Sequence, residues 1–236
     1  MSNDRLLLLA YTRCNQPARE EEWSAWYDDT HLPDVIEAGA DVASRFALTQ
    51  RPAPGMPSIG FSHVAIYEFR GFDAAARLEL ALGRDSETRR LGRLHPNHCL
   101  IQVDVLQIHK GRRLDPSPKL RGLIYVSVMC NDPLRTAEWN QWYDEQHLPD
   151  MMASGAFAAG SRWLRRESAP YGPNDVTFYD VTDCSVEDAI EVSARALRDL
   201  TAAGRKLDCH AAGMSVTLQP TGRYGGEGLW REPNPG

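Results

Sequence analysis

The residues WSAWYDDTHLPD at 23–34 recur as WNQWYDEQHLPD at 139–150, with eight of the twelve positions identical. The likeness reaches beyond this motif. Residues 5–40 align without a gap on 121–156, and 17 of those 36 pairs are identical, among them Cys14/Cys130, Pro17/Pro133, Arg19/Arg135 and Gly39/Gly155. One extra residue then brings SRF at 44–46 against SRW at 161–163. After a shorter loop VAIYEF at 64–69 matches VTFYDV at 176–181, His98 matches His210, and Leu106-Gln107 matches Leu218-Gln219. A self-match this long is a tandem duplication of a whole folding unit, not an array of short repeats.

Each copy carries the same order of signals. An apolar, β-rich run opens it, RLLLLAYTRC or RGLIYVSVMC. A helix follows over roughly 18–31 or 134–147. The proline of His-Leu-Pro-Asp is expected to break it, because Pro lacks the amide donor and pushes its predecessor out of the helical region. Pro33 then suits the start of a short second turn that Gly39 ends. A strand near 42–50, a Pro/Gly loop, a strand at 61–70, a helix over 73–92 and a last strand at about 98–109 complete the copy. In the second copy Ser185, with Asp188 three places on, reads as a capping box.

The order is βαββαβ, which predicts an α+β fold of two tandem ferredoxin-like repeats, 1–112 and 119–220. Such a unit covers one sheet face with helices and leaves the other open. Two copies in one chain solve that by packing their open faces into one pseudo-dimeric α/β barrel. Residues 113–118 read as a linker. Residues 221–236 are too rich in Gly and Pro for regular structure and read as a loose tail, or as an arm that docks Trp230.

Composition narrows the partners. The net charge is −6 and no long basic run occurs, which argues against nucleic acid and against an anionic membrane surface. No stretch approaches the roughly 18 apolar residues of a membrane span. Five cysteines without a CxxC pair fit a reduced, cytoplasmic setting. There is no P-loop, GxGxxG fingerprint or GxSxG elbow. The expected partner is a small-molecule substrate, and whole chains can pair as a homodimer of pseudo-dimers.

With the βαββαβ pattern doubled and an aromatic-rich first helix ending in His-x-Pro, the chain resembles the dimeric α/β-barrel superfamily, and within it the EthD-like branch. The resemblance covers nearly the whole chain. It implies enzymes such as cofactor-free isomerases, cyclases, decarboxylases and lyases acting on small aromatic, lactone or polyketide-like compounds. It also covers monooxygenases, haem-linked or cofactor-free, and the alternative reading is a non-catalytic small-ligand-binding or assembly protein whose repeated motif is structural. This chain departs from simple members in being fused and in carrying Leu-Pro-Asp after the histidine.

Trp23, Tyr27 and His31 are spaced to share one helix face, and Asp28 lies three residues before His31. An Asp so placed can fix the imidazole tautomer and raise its basicity. The expected machinery is therefore His31 and His147 as proton carriers, Asp28 and Asp144 as their orienters, and Tyr27 and Tyr143 as donors to developing negative charge. Trp26 and Trp142 are candidate walls for a flat substrate. Arg45 and Arg162 are candidate grips for a carboxylate. His98 and His210 are candidate partners of the helix histidines. Each has a structural alternative. The tryptophans and Tyr67/Tyr179 fit a core, the arginines fit strand-edge charges, and Cys14/Cys130 fit small buried hydrophobes. Asp34 and Asp150 fit caps of the turn at the proline, and the histidines fit hydrogen-bonded packing. No metal and no cofactor is expected. Asp-x-x-His could offer two metal ligands per helix, but in this fold the two first helices lie far apart.

Overall fold

The computed structural model describes residues 5–49, 60–113, 119–167 and 173–225. The Pro/Gly loop at 51–59, most of the linker and Trp230 lie outside these residues. The chain divides into two compact units. One combines Met1–Ile108 with Pro220–Gly236, and the other is His109–Gln219. These limits differ from the breaks at 112 and 220 expected from the linker, because each unit also takes in a strand end from beyond its own copy.

In the first unit β1 (Arg5–Cys14) lies between β3 (His63–Arg70) and β4 (His98–Gly111), and β2 (Val42–Leu48) follows β3. The pairs β1–β3, β1–β4 and β2–β3 are all antiparallel. In the second unit β5 (Gly122–Cys130) lies between β7 (Asp175–Val181) and β8 (His210–Gly225), and β6 (Ala159–Arg165) follows β7, again antiparallel. The two strand orders are therefore the same. β8 runs to Gly225, five residues into the segment expected to lack regular structure. Strand pairing here overrides Gly and Pro content.

β1 is buried on both faces. Leu6, Leu8 and Ala10 join Trp23, Tyr27, Leu32, Tyr67 and Leu78 in one apolar cluster, while Leu7 and Leu9, pointing the other way, are fully buried too. That two-faced burial is why the strand reads as an unbroken leucine run instead of an alternating one. In the second unit Ile124, Trp139, Trp142, Tyr143, Leu148 and Tyr179 form the matching cluster.

The first helical segment differs from the sequence expectation in an informative way. A 3-10 turn at Pro17–Arg19 leads into α1 (Glu20–Trp26), whose first turn carries Glu20, Glu21 and Glu22 against the positive end of the helix dipole. The chain then widens into a π turn, Tyr27–His31, and continues as α2 (Leu32–Glu37). The second unit repeats this with α5 (Thr136–Trp142), a π turn at Tyr143–His147 and α6 (Leu148–Ala153). So the proline does not break the helix. His31 and Leu32 keep helical dihedrals. The wider turn shifts the carbonyl register at which a proline ring would clash. Gly39, at φ +114°, ends α2 as expected.

The helix expected over 73–92 divides at Gly83 into α3 (Ala74–Leu82) and α4 (Arg84–Arg90). Its counterpart α7 (Val186–Ala202) is continuous. Ser185 caps it, the Ser185 hydroxyl accepting from the Asp188 amide at 3.0 Å and donating to its carboxylate at 2.8 Å.

Candidate functional site

The π turn places His31 under the helix and against the sheet. Its ring stacks on Trp26 at 5.3 Å, meets the edge of Tyr27 at 4.7 Å and lies 5.7 Å from His98. His98 opens β4, opposite Cys14, just past a bulge at Tyr11/Thr12 that re-aims the strand end. The Trp23 indole N–H donates to His98 Nδ1 at 3.2 Å. The second unit repeats each element. His147 lies 4.9 Å from Trp142, 4.7 Å from Tyr143 and 5.3 Å from His210, and the Trp139 indole donates to His210 Nδ1 at 3.2 Å. Thus the two matched histidine pairs come together within each unit.

These imidazoles are neutral at pH 7. Burial, helped by His98 and the Arg45 charge, pushes His31 down to about 3. Burial and nearby Arg89 and Arg45 push His98 down to about 4. Burial with His210 and Lys206 brings His147 to about 3, and burial with Lys206 and Arg162 brings His210 to about 4. The expectation that an aspartate raises their basicity is therefore corrected, because desolvation of the charged form dominates.

Asp28 and Asp144 turn to arginines. Arg45 donates to Asp28 at 3.1 Å and to the Ser24 hydroxyl at 2.9 Å, with its guanidinium over the rings of Trp23 and Tyr27 at 4.6 and 4.8 Å. Arg162 donates to Asp144 at 2.9 Å, to Asp175 at 2.8 Å and to Asn140, over Trp139 and Tyr143. Both arginines are fully buried, so neither is placed to grip a substrate carboxylate, and neither is an exposed edge charge. The π turn explains the aspartates. Residues three apart share a face in an α-helix, but a wider turn rotates Asp28 and Asp144 toward the strand arginines. Asp144 does meet an imidazole, but that of His109 at 2.9 Å, a residue with no signal in the repeat.

Tyr27 and Tyr67 exchange a hydroxyl hydrogen bond at 3.2 Å, and Tyr143 bonds Thr177 at 2.8 Å. Burial raises the Tyr143 and Tyr179 phenols above their usual range, so they stay protonated. Trp26 and Trp142 donate their indole N–H to the carbonyls of Arg93 and Arg205 at 2.9 and 2.8 Å, which fixes each ring as the face on which the histidine stacks. Asp34 and Asp150 are ion-pair partners of Arg93 and Arg205; neither caps its helix, a correction to the expected cap. Cys14 and Cys130 are half-buried thiols bonded to backbone carbonyls.

A cavity of about 50 Å³ adjoins the first pair, lined by Leu8, Ala10, Tyr27, His31, Val35, Tyr67, Ala81, Leu82, Arg84, His98, Leu100 and Val103. Leu82, Leu100 and Val103 are each more than a third exposed and form an apolar rim. In the second unit Val126 and Met151 stand where the first has Ala10 and Val35. Phe157, in the stretch where the second copy gains a residue, stacks on Tyr179 at 4.5 Å. The cavity is too small to enclose a porphyrin. Among the described residues no group of three or more His, Cys, Asp or Glu could hold a metal ion, and no helix is long and apolar enough to cross a membrane.

His63 was not singled out by the sequence, since the second copy has Asp175 at its place. It packs 5.1 Å from Trp23, and burial beside Arg45 lowers it to about 3.

No protein-family model matches the chain, and no curated protein matches it. Solved structures do. A monooxygenase candidate from Fusobacterium nucleatum subsp. nucleatum is 10% identical with a TM-score of 0.60, over 98% of each chain. A chlorite dismutase candidate is 10% identical with a TM-score of 0.59, over 93% of this chain and 95% of that one. An anthrone oxidase-like protein is 11% identical with a TM-score of 0.52, over 94% of each. At such identities the likeness shows the fold alone.

Proposed function

We propose that the chain is a cofactor-independent enzyme that moves a proton on a small, largely apolar organic molecule, with His31 and His98 of the first unit as its working pair. One observation carries this reading: two neutral imidazoles, 5.7 Å apart, border a cavity whose other walls are mainly aliphatic and aromatic. A neutral imidazole is the form a base needs. Its burial makes the imidazolium costly until an anion forms beside it, so the ion pair is favoured most as the substrate loses its proton.

In the proposed step His31 takes a proton from an acidic C–H or O–H of the substrate. The electron pair left behind moves onto a conjugated carbonyl or aryl oxygen. The cavity takes the reacting end, while the rest of the molecule rests on the apolar rim. Return of the proton elsewhere gives an isomerase or cyclase, and loss of a neighbouring group gives a decarboxylase or lyase. Reaction of the anion with dioxygen gives a cofactor-free monooxygenase. This second reading is favoured by the names of the structural neighbours. On the same reading the two units are tandem ferredoxin-like repeats of an EthD-like pseudo-dimer, working in the cytoplasm, alone or as a homodimer.

The test is turnover of a panel of anthrones, naphthols and enol lactones, followed by absorbance with dissolved oxygen recorded in parallel. Oxygen consumed one for one with substrate selects the monooxygenase, and turnover without oxygen selects the isomerase or lyase. No turnover of any member of the panel overturns the enzyme reading, and full turnover by a folded His31→Ala, His147→Ala double variant overturns the assignment of the base to the helix histidines and leaves the repeated motif a structural one.

A further inference from the structure

We infer that Trp23 and Trp139 are positioning residues that hold His98 and His210 as the Nε2–H tautomer, so that these two histidines are hydrogen-bond donors at Nε2 and the helix histidines alone are left to act as bases. An indole N–H can only donate. The nitrogen that receives it, Nδ1 in both units at 3.2 Å, must therefore carry a lone pair. In a neutral imidazole the single ring proton then sits on Nε2. The geometry repeats closely: Trp23 and His98 are near-parallel at 20° with centroids 6.2 Å apart, and Trp139 and His210 at 19° and 6.2 Å.

The tryptophans are themselves locked. Each is fully buried and carries a guanidinium 4.6 Å above its ring, from Arg45 or Arg162. That stacked charge, with the packing, fixes the ring plane and so the direction of the indole N–H. The chain of cause runs from strand arginine to helix tryptophan to strand histidine. The identity of both tryptophans and both arginines in the two copies follows from one requirement, a fixed proton on one imidazole nitrogen. A tryptophan kept only for bulk would fill the space without presenting its N–H to a ring nitrogen.

The catalytic consequence rests on the function proposed above, but the tautomer does not. In that reaction His98 faces an oxygen that gains negative charge and stabilises it as a donor, while His31 removes the proton.

The experiment is long-range 1H–15N correlation spectroscopy of the full chain with 15N-labelled histidine at pH 7. His98 and His210 are assigned by the signals lost in His98→Gln and His210→Gln. We expect a bare Nδ1 and a protonated Nε2 at both. Replacing Trp23 by β-(3-benzothienyl)alanine keeps the ring shape and removes only the N–H. It should move His98 to a mixture of tautomers and leave His210 unchanged. A protonated Nδ1 in the native chain, or an unchanged His98 after the replacement, overturns the inference. If the variant at 23 does not fold, the same replacement at 139, read at the half-buried His210, decides it. Neither readout needs a substrate, so failure of the proposed function leaves this result standing.

Discussion

Arg162 and Asp144 meet at 2.9 Å with the guanidinium fully buried, and that pairing holds the π turn of the second unit against its sheet. Asp175 closes on the same arginine from the strand side. Breaking a buried pair by removing one partner strands the other's charge, which costs about 3–5 kcal/mol. Arg162→Met should therefore destabilise by that order in urea denaturation. Arg45→Met should cost less, because Asp28 is more exposed than Asp144 and His63 replaces the second carboxylate. Equal losses at the two positions would contradict this account of the asymmetry.

Stability should fall as pH drops below neutrality. His31, His63 and His147 have folded pKa values of about 3, and His98 and His210 of about 4. All lie below the roughly 6.5 of an unfolded histidine. Between these limits the unfolded chain binds protons that the folded chain refuses, so acid favours unfolding. The penalty begins near pH 6.5 and levels off at about 3–4, with a slope of up to ~1.4 kcal/mol per pH unit for each histidine. His31→Gln removes one such group, and its stability curve over this window should be measurably flatter than the parent's.

The same values shape the rate. If His31 is the base, kcat/KM should hold a plateau from about pH 5 to 8, because the free enzyme's base titrates near 3. His31→Ala should lower kcat by roughly 10²–10⁴-fold, the range for a lost acid or base. A rate that halves near pH 6.5 would point to an exposed histidine instead.

Gly111 and Gly204 separate two reasons for glycine. Both have positive φ, +76° and +71°. A Cβ on Gly111 would stand 2.2 Å from the Gly160 carbonyl oxygen, whereas one on Gly204 meets nothing within 4 Å. Gly204→Ala should cost only the backbone strain, about 1–2 kcal/mol. Gly111→Ala should cost a further ~1–3 kcal/mol for the displaced strand, seen as a clearly lower Tm.

Much of this architecture was legible because matched residues occur twice in the sequence. The strand order and the placing of His98 and His210 beside the helix histidines follow from matched positions, and the Ser185 cap from its spacing to Asp188. The wiring of the charges was not legible. Asp28 and His31 look like neighbours only if the turn between them is α-helical. A π turn leaves no mark that single-sequence periodicity can read, so the aspartates were assigned to the wrong partners. His109 was invisible for another reason: the end of β4 from His109 belongs to the second unit, where it meets Asp144. His63 and Phe157 escaped because each lies where the copies differ.

β4 and β8 each end in a different compact unit from the one in which they begin. The end of β8, from Pro220, belongs to the first unit, where Gly222 is pressed so close to the Asp28 carboxylate that a Cβ would come within 2.7 Å of it. Residues from His109 onward belong to the second, where the Arg112 amide bonds the Gly160 carbonyl. A gene severed at the linker would therefore encode two incomplete products, each missing the strip that finishes it and each bearing the strip that finishes its sibling. Fragment complementation, not independent folding, is the behaviour this exchange builds into the halves.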